Sequence, residues 1–189
     1  KIPHLGISGL KASAGPIADA YYGSPAKSML LIAVTGTNGK TSSTQWIGQS
    51  LSKSGKKTAV IGTLGISVFE NGKNGISEET GYTTPDQVQL QRNLARLRKQ
   101  GVECVAMEAS SIGIDQGRLN GIPIDIALFT NFTRDHLDYH HDMAAYKAAK
   151  RKLFDWPGLK HAVLNLDDPM GIELANELAG KVALTGFTL

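Results

Sequence analysis

Short apolar runs alternate with amphipathic segments along most of the chain. Four amphipathic segments have the spacing of helices that bury one face: residues 42–55, 85–101, 142–154 and 169–180. Five apolar runs are typical of strands that are buried on both faces of a sheet: residues 29–35, 58–63, 102–108, 124–130 and 161–166. The alternation predicts right-handed βαβ units, and therefore an α/β fold with a largely parallel sheet and flanking helices.

Three further segments refine this pattern. Thr84, Pro85 and Gln87 have the order of a capping residue, a first-turn proline and an N3 glutamine, so the second helix is predicted to begin there. Residues 64–77 contain two Asn-Gly pairs between short apolar stretches, which predicts a hairpin or an excursion from the main sheet. Residues 1–28, with a short helical pattern around 16–23, are interpreted as a linker or the end of a preceding domain.

The helical segment "DMAAYKAAKRKLF" carries a lysine within its apolar stripe. Lys150 lies near the middle of a face formed by Met143, Tyr146, Leu153 and Phe154. Because burial of an unpaired ammonium is costly, Lys150 is expected to extend its amine to solvent, to find an anion, or to be chemically modified. Three other cations of the segment are expected to be solvated: Lys147, Arg151 and Lys152.

Composition and charge exclude several classes of function. The 189 residues are 41% hydrophobic and 20% charged, which is typical of a globular chain. The net charge of +3 comes from interleaved basic and acidic residues without an aromatic-plus-basic stripe, so nucleic-acid binding is not expected. Cys104 is the single cysteine, which excludes an internal disulfide and a metal cluster of thiolates.

The sequence also bears on location and completeness. No run approaches the roughly 18 consecutive apolar residues of a membrane span, and the first residues lack the pattern of a signal peptide. We therefore expect a cytoplasmic protein without membrane insertion, and a monomer by default. Because residue 1 is not Met and the chain stops directly after an apolar stretch, a fragment or a processed chain is expected.

A glycine-rich loop follows the first predicted strand and precedes a helical segment. In this context backbone N–H groups can approach phosphates, a lysine can reach the β- and γ-phosphates of ATP, and a threonine hydroxyl can bind Mg²⁺. The spacing is shorter than in the usual phosphate-loop motif, because Val34 stands where the first glycine would be. The alternative is a glycine turn that only joins strand to helix. The nucleotide-binding candidates are Gly36, Thr37, Asn38, Gly39, Lys40, Thr41 and Ser42.

Two polar residues follow predicted strands at the edge where parallel sheets bind ligands. Glu108 ends one strand beside the loop, where its carboxylate is well placed for Mg²⁺, although a glutamate at a strand end can also be simply solvated. His136 comes just after the strand at 124–130. The neighbouring His140 and His141 are interpreted as surface residues.

Four motifs, "VTGTNGKT", "YTTPD", "MEASS" and "TNFTRDHLDYHHDMAAYKAAK", resemble in this order the Mur ligase family, most closely its MurE type. The resemblance extends from about Tyr21 to Asp168. It implies ATP-dependent addition of a diamino acid, meso-diaminopimelate or L-lysine, to UDP-N-acetylmuramoyl-L-alanyl-D-glutamate through an acyl phosphate, in peptidoglycan precursor synthesis. Residues 29–189 would form part of a phosphate-loop-type central ATPase domain and residues 1–28 the end of a UDP-binding domain, while the C-terminal domain would be absent.

The resemblance also implies roles for single residues at a catalytic centre. Lys40, Glu108, His136 and Lys150 would be catalytic, with ATP as substrate and Mg²⁺ as cofactor. The metal would be held by Thr41, Glu108, His136 and Lys150, the last as a carbamate. Carbamylation agrees with the chemistry of a lysine in an apolar face, because a lowered pKa leaves more neutral amine to react with CO₂.

The acceptor, a UDP-muramoyl dipeptide, would lie against a second set of residues. Thr84 could instead be only a helix cap. Tyr82 and Ile112 stand where the family often has Asn and His. The implied substrate-binding residues are Thr83, Thr84, Ser110, Gln116 and Arg118.

Two alternatives for the function stay open at this point. One is another member of the same superfamily, such as a different Mur ligase or a folylpolyglutamate synthase. The other, for the chain by itself, is a nucleotide-binding module without catalysis. The isolated chain is expected to show no ligase activity, because the domain that brings the amino acid in the family would be missing.

Overall fold

The computed structural model describes residues 6, 8–78 and 81–188. The helices are α1 (Leu10–Tyr21), α2 (Lys40–Lys53), α3 (Gln87–Lys99), α4 (Ser111–Asp115), α5 (Leu137–His140), α6 (Met143–Arg151) and α7 (Pro169–Leu178), and a 3₁₀ turn lies at Pro25–Ser28. The strands are β1 (Leu30–Thr35), β2 (Thr58–Gly62), β3 (Gly65–Glu70), β4 (Lys73–Glu78), β5 (Cys104–Glu108), β6 (Ile126–Phe129), β7 (His161–Asn165) and β8 (Ala183–Phe187). Among these helices, none combines the length and apolar character needed to cross a bilayer.

All strands of the described chain belong to one sheet, in the order β4-β3-β2-β5-β1-β6-β7-β8. The six strands from β2 to β8 in this order pair in parallel, and β3 and β4 add an antiparallel hairpin at one edge. The predicted α/β fold with a largely parallel sheet is therefore confirmed, and residues 64–77 lie within this hairpin. The sequence pattern missed β8, which pairs with β7 although most of its residues are exposed.

The sheet is buried on both faces at its centre. Successive residues of β2 point to opposite sides, so Ala59 and Ile61 join the main core while Val60 packs in a smaller cluster with Phe69 and Ala106. Helix α2 covers this smaller cluster closely at Gly48, where an added Cβ would lie 2.5 Å from a methyl carbon of Val60. Because the central strands are buried on both faces, their sequences are continuous apolar runs.

The register of the central strands brings three segments to one edge of the sheet. β1 lies between β5 and β6, with Val34 opposite Glu108 and Thr35 opposite Phe129. Because parallel strands end at the same edge, the glycine loop after β1, the end of β5 and the segment after β6 meet there.

Helix α1 is longer than the predicted pattern around 16–23, and it is bound to the start of α3. The Gln87 side-chain amide lies between two backbone groups of α1: Gly15 N–H donates to Gln87 Oε1 at 2.5 Å, and Gln87 Nε2 donates to the Lys11 carbonyl at 3.0 Å. Gly15 also meets the segment after α4, since a Cβ there would lie 1.9 Å from the Asn120 carbonyl oxygen. α1 therefore packs directly against α3 and the segment that follows α4.

The predicted start of α3 is wrong by two residues. Asp86, and not Thr84, is the N-cap, and its carboxylate accepts from the N–H groups of Val88 and Gln89 at 3.0 and 2.9 Å. The Thr84 hydroxyl instead donates to the Glu108 carbonyl at 2.9 Å, a contact between segments far apart in sequence. The tertiary hydrogen bond has replaced the local cap.

Candidate functional site

The glycine loop is shaped by residues that follow β6. Gly36 has φ 150°, and a Cβ at this position would lie 1.8 Å from Thr130 Oγ1, so only glycine fits. Asn131 holds the loop by accepting from Thr37 N–H through its carbonyl at 2.8 Å and from Asn38 N–H through Oδ1 at 2.9 Å. These two N–H groups are therefore engaged within the protein. The donors left for an anion are those of the first turn of α2, which a helix does not satisfy internally.

Two lysine side chains converge on one carbonyl of the loop. Lys40 Nζ donates to the carbonyls of Gly36 and Thr37 at 3.0 and 2.8 Å, and Lys150 Nζ donates to the same Gly36 carbonyl at 2.8 Å. Burial lowers the pKa of Lys40, against the opposing charges of Glu108 and Asp135. Burial and, to a smaller extent, the positive charge of Lys40 lower the pKa of Lys150 to about 7, whereas the charge of Asp135 opposes the change.

The position of Lys150 excludes one of the three possibilities stated for it. Its side chain is 1% exposed, so extension of the amine to solvent is wrong. The ammonium lies against a carbonyl oxygen and 4.4 Å from the centroid of the Tyr146 ring, which gives it a cation–π contact, and it forms no ion pair among the residues that the structure describes. The other cations of the segment form surface ion pairs with acidic residues: Lys147, Arg151 and Lys152.

Tyr146 connects the loop with the histidines. Its hydroxyl lies 3.2 Å from Thr37 Oγ1, and its ring contacts those of His136 and His140, with centroids 5.9 and 5.2 Å away. Burial raises the pKa of this phenol, partly offset by the hydrogen bond with Thr37. Tyr146 is fully buried and lies one helical turn before Lys150, so α6 presents both side chains to the loop.

Glu108 is a buried carboxylate held by neutral donors. It is 2% exposed, so the alternative of a solvated strand end is wrong. Thr41 Oγ1 and Thr63 N–H donate to Oε1, both at 2.9 Å, and Thr63 Oγ1 donates to Oε2 at 3.2 Å. The hydroxyl of the phosphate loop and the carboxylate at the end of β5 are thus in direct contact.

The histidines differ in their environments. His136 is half-buried in the left-handed region with φ 51°, its backbone N–H donates to Asp135 Oδ1 at 2.8 Å, and its Nε2 lies 3.6 Å from Asp135 Oδ2. His140 is buried, with Nε2 at 2.9 Å from Ser111 Oγ, so its interpretation as a surface residue is wrong. Burial lowers the pKa of His140, against the opposing charge of Asp115. His141 is exposed, as predicted.

The opposite side of the site is built from the segments after β4 and β5. Thr84 Oγ1 lies 3.1 Å from Ser110 Oγ, and the Ser110 hydroxyl caps α4 by accepting from Gly113 N–H at 3.0 Å. Arg118 donates to Gln116 Oε1 through Nε at 3.0 Å and Nη2 at 2.7 Å, and its Nη1 donates to the Thr84 carbonyl at 2.8 Å. The guanidinium is therefore oriented by the protein before any ligand binds.

A cleft of about 500 Å³ joins the loop and this opposite side. Three predicted residues do not line it: Gly36 lies behind the two lysines, Ser42 is exposed on α2, and Gln116 supports Arg118 from a neighbouring pocket. The predicted residues that do line the cleft are Thr37, Asn38, Gly39, Lys40, Thr41, Thr83, Thr84, Glu108, Ser110, Arg118, His136 and Lys150.

Three residues that shape the candidate site were not found from the sequence. Thr63 and Asn131 each come just after a strand of the parallel sheet, which is the same signal that identified Glu108. Tyr146 was assigned only to the apolar stripe of its helix, because periodicity does not show that its hydroxyl reaches Thr37.

Part of the site fits a Mg²⁺ ion. Thr41 and Glu108 offer a hydroxyl and a carboxylate in contact, and Mg²⁺ is usually bound by one or two carboxylates together with substrate phosphates. In residues 6, 8–78 and 81–188, no group of three or more His, Cys, Asp and Glu side chains could hold a metal alone. Lys150 as an ammonium offers no lone pair, whereas a carbamate at this position would offer oxygen atoms, the ligands that Mg²⁺ prefers.

Comparisons of the sequence with known proteins all point to one family of enzymes. Residues 34–188 match the family model described as the Mur ligase middle domain. A UDP-N-acetylmuramoyl-L-alanyl-D-glutamate--2,6-diaminopimelate ligase of Janthinobacterium sp. (strain Marseille) is 59% identical over the whole of this chain, and one of Pseudomonas aeruginosa is 48% identical over 93% of it. The chain spans 38% and 35% of the lengths of these two relatives.

Solved structures show the same relationship in three dimensions. A structure with the same enzyme name is 36% identical and superposes with a TM-score of 0.81, covering 99% of this chain and 39% of that one. A folylpolyglutamate synthase of Mycobacterium tuberculosis, complexed with ADP and AMPPCP, shares the fold with a TM-score of 0.68 at 19% identity, over 93% of this chain and 46% of that one. On the family model and the close relatives together, the chain belongs to the Mur ligase family.

Proposed function

We propose that the protein containing this chain is an ATP-dependent ligase that joins a diamino acid to UDP-N-acetylmuramoyl-L-alanyl-D-glutamate in peptidoglycan precursor synthesis. The observation that carries the proposal is the cleft itself, in which Lys40, Lys150 and the Thr41–Glu108 pair face Arg118 and the Thr83–Thr84 segment. Relatives that are 48–59% identical bear the name of the diaminopimelate ligase, which favours diaminopimelate over lysine.

Before the amide forms, two anions must react with each other: a carboxylate of the acceptor and the γ-phosphate of ATP. A carboxylate oxygen of the acceptor would attack the γ-phosphorus of ATP, and ADP would leave. The amine would then attack the acyl carbon of the acyl phosphate, and inorganic phosphate would leave as the amine loses a proton. Both steps depend on positioning and charge neutralisation more than on an acid, because the two anions repel each other.

The residues of the cleft would divide these tasks. The first turn of α2 and Lys40 would bind the phosphates, while Arg118 would orient a carboxylate or phosphate of the acceptor against Thr83, Thr84 and Ser110. Mg²⁺, when bound by Thr41 and Glu108, would supply further positive charge between the phosphates. His136 at the rim and a carbamylated Lys150 would be additional ligands, and the lowered pKa of Lys150 supports its reaction with CO₂.

The domain assignment is part of the same proposal. Residues 29–189 would belong to the central ATP-binding domain, and residues 1–28 would end a preceding UDP-binding domain that reaches the sheet through α1. A C-terminal domain outside this chain would bring the amino acid. We further propose a cytoplasmic monomer that binds neither nucleic acid nor membrane.

The test uses the longest natural protein that contains this chain. We expect ADP and phosphate to form only when Mg²⁺, the UDP-muramoyl dipeptide and meso-diaminopimelate are all present, with L-lysine a poor substitute. A Lys150→Ala variant should lose ligation and regain part of it when short carboxylic acids are added. ADP formation at the same rate with and without the muramoyl dipeptide would refute the proposal. The isolated 189-residue chain should form no ligation product.

A further inference from the structure

Thr63 donates two hydrogen bonds to the Glu108 carboxylate. It follows β2 directly and binds both carboxylate oxygens, Oε1 through its N–H at 2.9 Å and Oε2 through its hydroxyl at 3.2 Å. An ionised carboxylate can only accept, so the Thr63 hydroxyl must be the donor in the second contact. Thr63 therefore engages both oxygens of the carboxylate, whereas Thr41 engages only one.

The same hydroxyl fixes the direction of a second hydrogen bond. Thr63 Oγ1 lies 3.0 Å from Thr83 Oγ1. Because the one proton of Thr63 is donated to Glu108, Thr83 must donate to Thr63. A chain of hydrogen bonds thus runs from the predicted acceptor side of the cleft to the carboxylate beside the phosphate loop.

Gly62 provides the space for this arrangement. A Cβ at Gly62 would lie 2.1 Å from Glu108 Oε1 and 2.7 Å from its carboxyl carbon. The clash would be with the end of a flexible side chain, so an alanine would displace the carboxylate and leave the strand intact. The absence of a side chain at Gly62 is thus a condition for the observed orientation of Glu108.

We propose that Thr63 is a positioning residue that holds the Glu108 carboxylate in the orientation in which it binds a divalent cation, and that Gly62 is required for this orientation. The inference rests on the proposed function for the identity of the cation. The Thr41 hydroxyl donates to the same carboxylate, but it would itself be a metal ligand, whereas Thr63 would support the carboxylate from outside the ligand set. The two contacts from Thr63 persist, and a preoriented ligand binds without losing side-chain freedom.

The experiment measures Mn²⁺ binding by electron paramagnetic resonance, with the full-length protein and the non-hydrolysable analogue AMPPCP. The variants are Thr63→Val, which keeps the shape and loses the hydroxyl, Thr63→Ser, which keeps the hydroxyl, and Gly62→Ala. We expect the Mn²⁺ dissociation constant to rise about tenfold in Thr63→Val and at least as much in Gly62→Ala, as for other residues that support metal ligands. Thr63→Ser should remain near wild type.

A matched control is available at the other end of the same strand. Thr58 is buried and donates to the Lys56 carbonyl, so Thr58→Val makes the same chemical change in β2 away from Glu108. Its Mn²⁺ affinity should stay at the wild-type value. Wild-type affinity in both Thr63→Val and Gly62→Ala would overturn the proposal, as would an equal loss in the Thr58 variant. Because this measurement needs neither acceptor nor turnover, it separates the role of Thr63 from the ligase reaction.

Discussion

Replacement of Lys150 by Met should change how the stability of the protein depends on pH. Lys150 is buried with a pKa of about 7, compared with 10.5 for an ordinary lysine. Between these two pH values the unfolded chain carries a proton on this amine that the folded protein does not. The free energy of unfolding therefore rises with pH in this window for the lysine protein, and methionine removes this dependence.

The size of the effect follows from the two pKa values. Where Lys150 is protonated in the unfolded state and neutral in the folded state, each pH unit changes the free energy of unfolding by about 1.4 kcal/mol. For Lys150 the destabilisation should be about 4 kcal/mol at pH 7 and about 2 kcal/mol at pH 9. Relative to Lys150→Met, the free energy of unfolding of the lysine protein should therefore increase by about 2 kcal/mol between pH 7 and pH 9. Differences in packing cancel, because they are present at both pH values, and the effect of protonation on the bond to Gly36 is already contained in the pKa of the folded protein.

Urea denaturation at pH 7, 8 and 9 measures this change, in degassed buffers that keep CO₂ from the amine. Groups that titrate in both proteins cancel in the difference between them. Lys147→Met on the same helix is the control, because the Lys147 amine lies at the surface beside Glu173 and its replacement should give a constant difference. A difference for Lys150→Met that stays constant between pH 7 and pH 9 would refute the argument that burial has shifted this proton equilibrium.

Two further substitutions test other contacts of the site. Thr84→Val removes a buried hydroxyl that donates to the Glu108 carbonyl. The free energy of unfolding, measured in urea, should fall by about 1–3 kcal/mol. An unchanged urea midpoint would contradict this prediction. Gly36→Ala should raise the dissociation constant for ATP, measured by calorimetry, about tenfold or more. The reason is that its Cβ would lie 1.8 Å from Thr130 Oγ1, so the loop would have to move. Wild-type affinity would show that the loop tolerates the methyl group.

The sequence predicted those features that depend on local pattern. Continuous apolar runs identified the parallel strands, and the glycine loop with its Lys-Thr pair identified the position of the cleft. The apolar stripe correctly placed Lys150 in a buried face. The stripe could not show what the amine would contact, because the Gly36 carbonyl comes from a loop 114 positions away in the chain.

The failures share one feature, which is that contacts between segments far apart in the chain decided the local structure. Thr84 has the sequence context of a helix cap, but its hydroxyl is engaged by Glu108 and Ser110, so Asp86 caps α3 instead. His140 lies in a polar segment typical of a surface, yet its ring is buried beside Ser111. β8 was missed because pairing with β7, rather than an apolar pattern, makes it a strand.

The contact between Gln87 and α1 has a mechanical consequence. Its amide spans the interval between the Lys11 carbonyl and the Gly15 N–H, so the ladder of α1 is completed by a residue of α3. α1 cannot rotate or slide relative to α3 without breaking both hydrogen bonds at once. Since α3 begins only a few residues after Thr83, α1 and the predicted acceptor side of the cleft are anchored to the same helix.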